Sequence, residues 1–355
     1  MASLLERAQK KGNPVIENGE AVFVWEGKKP PILSGDFNHW QHDQPLDMTE
    51  TEPKVWTARL PLPPDTYMEY GFFASPADDD RLRDPLSRRR KPNGIGQHNH
   101  WFGMPGWKPA PETKRKRGVL SGRITEEVVS SPHQLMAGKQ RKAFLYQPPT
   151  GAAVPLLLVW DGPDYLRRAF LNRIVDNLIA QGRIRPIAML KIDNGSKLGA
   201  RGIEYHTSEA TVAFAEGELL PFAHQHLNLI DERKTPGVHA VLGASMGGLM
   251  ALTTGFMLPR VFGHVISQAG MYQPWTSHDR PLIFDALAGS ITPLPRIWLD
   301  CGTFDGLLDG NRQLHDLLLA KGGDVTYREY HTGHNYTAWA NSVVGALEVM
   351  FPKGS

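Results

Sequence analysis

Cysteine is nearly absent from this sequence: Cys301 stands alone among 355 residues, so no internal disulfide can form. Long apolar runs are absent too. None approaches the roughly 18 residues of a membrane span, and the first eleven residues, MASLLERAQKK, contain no apolar signal core, so a cytoplasmic protein is expected. Nor is there an excess of one charge. Lys and Arg number 39 against 37 Asp and Glu, a formal net charge of +2, which argues against a general nucleic-acid footprint or an obligatory polyanionic partner. What the chain does have is 41% hydrophobic residues, enough for sizeable cores, and a length that makes two domains the natural expectation.

The texture changes along the chain and divides it. Residues 3–11 read as a short polar helix. Short alternating runs follow at Ala21–Trp25, Pro31–Ser34, Val55–Leu60 and Tyr67–Phe73, separated by Pro, Gly and Asp clusters, the spacing of an all-β sandwich with no room for a long helix. The stretch Gly106–Glu112 has linker composition. Boundaries are expected at 1–105 for the sandwich, 106–117 for the linker and 118–355 for a second domain. In that second domain, continuous apolar runs such as Pro155–Trp160 and Ile187–Ile192 alternate with helical stretches at 166–181 and 209–227, the pattern of crossover units in a mostly parallel sheet. The fold class is therefore α/β, of α/β-hydrolase type, behind an immunoglobulin-like β-sandwich. Two basic runs, Arg88–Lys91 and Lys114–Arg117, read as a solvated loop and a linker, with an electrostatic funnel for an anionic substrate as the alternative.

One stretch carries chemistry. Val238–Leu252 reads as a buried strand, a tight turn and the start of a helix, with Ser245 flanked by Gly243 and Gly247 in the G-x-S-x-G spacing of a nucleophile elbow. A serine hydroxyl needs a base, and the base needs an acid, which in this architecture follow in the order Ser, acid, His. The strand end Trp298–Asp305 offers Asp305, with Asp309 and Asp300 as alternatives. The loop His331–Trp339 offers His334 ahead of His331, Gly333 freeing the backbone and Trp339 giving an apolar wall. The oxyanion donors expected are the amide of Met246 and an amide of the loop Asp161–Tyr165, Gly162 being the least hindered. Tyr165 and Asp161 are candidates for lining the substrate pocket. Such a site needs no cofactor. His224 with His226, and His331 with His334, lack a third ligand at zinc spacing, so no metal is expected, and Cys301 is a small core residue rather than a nucleophile.

Two resemblances add to this. Gly35-Asp-Phe-Asn-His-Trp40, Trp56, Tyr70–Phe72 and Arg83–Pro85 resemble the early-set sandwich domains of glycogen-branching enzymes and of AMP-activated kinase β subunits. That likeness implies glycan contact through Trp40, although Gly71 replaces the family's lysine and the second sugar-stacking tryptophan is missing from residues 77–82. A packing domain that shapes the partner's site is the plainer reading. The elbow, Pro259–Tyr272 and Leu158–Gly162 resemble the enterochelin esterases, and Cys301–Asp305 is similar to the strand end that supplies the acid in feruloyl esterases. The resemblance implies a serine esterase acting on the trilactone of a ferric catechol siderophore, with a sugar-linked feruloyl or acetyl ester as the runner-up. It also implies that Arg201 and Glu204, in Arg201–Tyr205, lie in an active-site loop where the arginine binds substrate oxygens; an Arg201–Glu204 ion pair is the structural alternative. A non-catalytic carbohydrate-binding protein remains the rival from another class, and a homo-oligomer is left open.

Overall fold

The computed structural model of the chain describes residues 2–130, 140–195, 199–273 and 282–353. It divides into two compact units. The first comprises Met1–Lys108 together with Gly302–Gly306 and Glu329–Ala338, and the second comprises Pro109–Cys301, Leu307–Arg328 and Trp339–Ser355.

The first unit opens with helix α1 (Leu4–Lys11), started by a capping box between Ser3 and Glu6. Eight strands follow: β1 (Val15–Glu17), β2 (Glu20–Glu26), β3 (Ile32–Gly35), β4 (Thr49–Glu52), β5 (Val55–Pro61), β6 (Tyr67–Phe73), β7 (Arg90–Pro92) and β8 (His98–Gly103). They form two four-stranded antiparallel sheets, in the orders β1-β2-β5-β4 and β3-β6-β8-β7. Strand β2 shows how alternation builds this unit. Ala21 and Phe23 enter a core with Tyr70, Phe72 and Phe102, while Val22 and Val24 join a second core with Ala8 of α1. Phe23 meets Tyr70 edge-on at 5.0 Å between ring centroids, and burying a ring of this size stabilises by about 1.5–3 kcal/mol. Phe304, from the Gly302–Gly306 segment, packs on the same core.

The second unit is built on the sheet β16-β15-β14-β13-β11-β12-β10-β9, from β9 (Arg123–Ser130), β10 (Gln140–Gln147), β11 (Leu156–Val159), β12 (Ala188–Ile192), β13 (His239–Ala244), β14 (Phe262–Gln268), β15 (Arg296–Gly302) and β16 (Val325–Tyr330). Pairing is parallel from β12 through β11, β13 and β14 to β15, and antiparallel where β10 meets β12 and β9. The helices are α2 (Gly162–Arg167), α3 (Leu171–Ala180), α4 (Ala200–Tyr205), α5 (Glu209–Phe214), α6 (Leu220–His226), α7 (Met246–Met257), α8 (Leu282–Gly289), α9 (Leu308–Ala320) and α10 (Tyr336–Met350). Both long helices expected from the sequence are interrupted. Phe170, at φ +56°, separates α2 from α3, and a π-helical turn at Ala215–Leu219 separates α5 from α6. Among the described residues no helix is long and apolar enough to cross a membrane.

Candidate active site

Ser245 stands where β13 turns into α7, with β13 flanked by β11 on one side and β14 on the other. In open α/β sheets ligand sites lie beyond the carboxyl ends of strands at such a reversal of strand order. The serine adopts φ +58° and ψ −124°, a backbone state that side chains other than glycine rarely take, and it keeps 9% of its surface exposed. Tight neighbours impose that strain. A Cβ at Gly243 would lie 2.0 Å from the Gly247 carbonyl oxygen, and one at Gly247 would lie 2.6 Å from Asp161 Oδ2. The turn is tied down by the Ser245 N–H, which donates to the Gln268 carbonyl at 2.9 Å, and by the Ser245 carbonyl, which accepts from Met271 N–H at 2.9 Å.

Met246 is the first residue of α7 and Gly162 the first of α2, so the amides of both occupy positions without an intrahelical acceptor. Gly162 is required by close approach: a Cβ there would lie 2.5 Å from the Lys191 carbonyl carbon. Asp161, just before it, adopts φ +54° and grips Arg201 bidentately, with Nε to Oδ1 at 2.8 Å and Nη2 to Oδ2 at 2.7 Å. Arg201 Nη2 also donates to the Ala244 carbonyl at 3.3 Å. This clamp ties the Gly162 turn to the end of the elbow strand.

Several expectations for this loop are corrected. The ion pair open to Arg201 is with Asp161, not Glu204. Glu204 is buried and forms a two-bond pair with Arg141, at 2.6 and 2.9 Å, and also accepts from Gly195 N–H, so its carboxylate is spent inside the protein rather than on substrate. Tyr165 is fully buried and its hydroxyl donates to Gln268 Oε1 at 2.8 Å; burial pushes the phenol well above its ordinary range. Its side chain is a packing group within the second unit. Trp339 is likewise buried, in α10, its carbonyl accepting from Gln268 Nε2 at 3.1 Å. Gln268 is the residue that sequence reasoning missed. Its amide meets Tyr165, Asp300, Trp339 and Ser342 while its carbonyl holds the serine, and its position at the end of a buried strand was the only available signal.

In the first unit, His334 Nδ1 lies 2.8 Å from Asp305 Oδ2. A carboxylate only accepts, so Nδ1 carries the proton, and in the neutral imidazole the acceptor nitrogen is then Nε2. The loops bearing the two residues are joined by Thr303 N–H to the Tyr330 carbonyl at 2.8 Å and Phe304 N–H to the Thr332 carbonyl at 3.1 Å. The alternatives are occupied elsewhere. His331 pairs with Asp65 at 2.7 Å, Asp309 is exposed at the start of α9, and Asp300 accepts from the Trp298 indole at 2.7 Å. Trp40 is half-buried and donates to Asp36, and the Arg81 guanidinium covers its ring at 4.9 Å. Of the basic runs, Arg90 and Lys91 belong to strand β7, with the Lys91 ammonium donating to the Thr337 hydroxyl. A cavity of about 590 Å³ is lined by Arg115, Lys116, Phe170, Asn172 and Arg173, and by none of the expected site residues.

Among the described residues, His224, Glu232 and His239 form a cluster of metal-ligand type. The tautomer argues against a metal there. His239 Nδ1 accepts from Leu156 N–H at 3.0 Å, so its Nε2 bears the proton and points at Glu232, 3.5 Å away, as a donor. Burial pushes this imidazole down to about 4, which keeps it neutral near pH 7.

Comparison with known proteins bears on this arrangement. The family model described as "Putative esterase" matches residues 135–350. The chain is 26% identical over 366 residues to the iron(III) salmochelin esterase of Escherichia coli O6:H1, covering 93% of this chain and 87% of that protein. It is 32% identical over 91 residues to an acetyl esterase of Caldicellulosiruptor saccharolyticus, covering 26% of this chain. In structure it is similar to ferric enterobactin esterase from Salmonella typhimurium, with a TM-score of 0.78, 20% identity and 94% of each chain covered.

Proposed function

The chain belongs to the esterase family whose model it matches over residues 135–350, and from that premise we propose that it hydrolyses the ester linkages of an iron(III)-bound catecholate siderophore through an acyl-enzyme on Ser245. His334 Nε2 takes the serine proton as Oγ attacks the ester carbonyl. Asp305 holds the imidazole in the tautomer whose acceptor nitrogen is Nε2, and stabilises the imidazolium that results. The oxyanion is met by the amides of Met246 and Gly162, each donor of this kind being worth roughly 10²- to 10³-fold in rate. His334 then protonates the departing alkoxide, and a water activated by the same imidazole cleaves the acyl-enzyme.

The observation that carries the mechanism is the 2.8 Å bond between His334 Nδ1 and the buried Asp305 carboxylate. The substrate class is supported by the likeness to a siderophore esterase that runs through 93% of this chain, N-terminal sandwich included, against 26% for the acetyl esterase. Glycan contact through Trp40 is not part of this reading, since Arg81 covers the ring. Ferric enterobactin and methyl ferulate assayed side by side, with product release followed by chromatography, test the proposal. Cleavage of the siderophore at least about tenfold faster, abolished by Ser245→Ala, is expected. Preference for the ferulate would reassign the substrate, and undiminished turnover in the variant would remove Ser245 from the mechanism.

A further inference from the structure

Asp36 is an acid that the hydrolytic steps do not use. It sits in a short 3-10 turn (Asp36–Asn38), fully buried, with donors converging on it. Its Oδ1 accepts from the Trp40 indole at 3.0 Å, and its Oδ2 accepts from Glu69 N–H at 2.8 Å and from the Asn335 side-chain amide at 3.2 Å. Burial and the neighbouring Glu69 carboxylate raise its proton affinity well above the usual carboxylate range, while the Glu69 N–H and the Trp40 indole favour its charged form.

Two of the residues resting on Asp36 bracket the proposed base. Asn335 follows His334 directly, and its side chain is committed in both directions: the amide donates to Asp36 while Oδ1 accepts from Ala338 N–H at 2.9 Å, capping α10. Gly333 precedes His334, and a Cβ there would lie 2.2 Å from both Cβ and Cγ of Asp36. The loop is therefore pressed against the aspartate and bonded to it on either side of the imidazole. Tyr67 N–H adds a bond to the His331 carbonyl at 3.0 Å.

We infer that Asp36 is a positioning residue for His334, through which the β-sandwich fixes the loop that carries the base; this rests on His334 acting as the base. The inference gives the sandwich a part in hydrolysis that requires no sugar. Displacement of a catalytic group by about 1 Å costs on the order of 10² in rate, so the effect belongs in kcat. Asp36→Asn keeps the volume but sets an NH2 group against a side that holds only donors. Asn335→Ser removes the amide donor while retaining a hydroxyl that can still cap α10.

The test measures kcat and KM on p-nitrophenyl butyrate per folded molecule, the folded fraction being read from thermal melts, for Asp36→Asn, Asn335→Ser, His334→Ala and Asp36→Asn combined with His334→Ala. We expect kcat to fall about 10- to 100-fold in the first two variants with KM within about threefold. In the His334→Ala background, Asp36→Asn should change nothing further. Wild-type kcat in both single variants, or an equal loss with and without His334, overturns the inference alone. Wild-type activity in His334→Ala overturns the base assignment and the inference with it. If Asp36→Asn does not fold, Asn335→Ser decides from the loop side.

Discussion

Two histidine–carboxylate pairs lie three residues apart on one loop, with almost the same bond length. His334 meets Asp305 at 2.8 Å and His331 meets Asp65 at 2.7 Å. Their surroundings differ. The Asp305 side chain is wholly buried and His334 keeps 23% of its surface exposed, whereas Asp65 is 61% and His331 40% exposed. Water competes for every lone pair and proton of the outer pair, and at high dielectric two unit charges 4 Å apart attract by only about 1 kcal/mol. The inner carboxylate has no such competitor, so it can hold one tautomer and one ring orientation. The two pairs are alike in distance and differ in burial of the acid, and the pair proposed to be catalytic is the buried one.

The comparison breaks most visibly at the histidines. His334→Ala should lower kcat/KM on a chromogenic ester by about 10³- to 10⁴-fold, the range expected of a positioned general base, while His331→Ala stays within about threefold. Losses of similar size would mean that the two pairs share the work and that the buried acid confers no distinction.

Much of the inner pair was legible in the sequence because its signals are local. Gly243, Ser245 and Gly247 reflect backbone atoms crowded within one turn, and Asp305 and His334 stand at a strand end and on a loop in the order the fold demands. Alternation and apolar runs likewise indicated the α/β class. What was not legible depends on partners distant in the chain. Glu204 is neutralised by Arg141, 63 positions earlier, and Arg201 by Asp161, 40 positions earlier, so a nearby Arg and Glu suggested the wrong pair. Asp36 and Asn335 are separated by 299 positions, and no spacing rule connects a sandwich turn to a helix cap. The break at Phe170 falls within a continuous helical pattern that neither residue type nor period interrupts, whereas the break at Ala215–Leu219 contains Gly217 and precedes Pro221, which the amphipathic period outweighs in the sequence.

A third histidine–carboxylate contact sharpens the same contrast from the buried side. His239, against Glu232, titrates near 4, held down chiefly by burial, whereas in the unfolded chain it protonates near 6.5. The unfolded state therefore binds the proton first as the pH falls. Stability is fully present above about 6.5 and declines by as much as about 3 kcal/mol on approaching pH 4. Urea melts between pH 7 and 4.5 should show this decline, and His239→Asn, which can still accept from Leu156 N–H, should flatten it. A slope unchanged in that variant would assign the acid sensitivity to other groups.

The smallest effect belongs to the outer pair. An exposed ion pair contributes about 0.2–1 kcal/mol, and salt screens it further because the Debye length shrinks to about 3 Å at 1 M. Asp65→Asn should thus lower stability by no more than about 1 kcal/mol in dilute buffer, show no difference from the parent in 1 M NaCl, and leave kcat unchanged. The loop does not depend on this pair, because Tyr67 N–H still holds the His331 carbonyl and Asp36 still holds Asn335. Should Asp65→Asn instead reduce kcat as Asp36→Asn is expected to, the exposed pair would also be positioning the base, and burial would lose its standing as the property that separates the two.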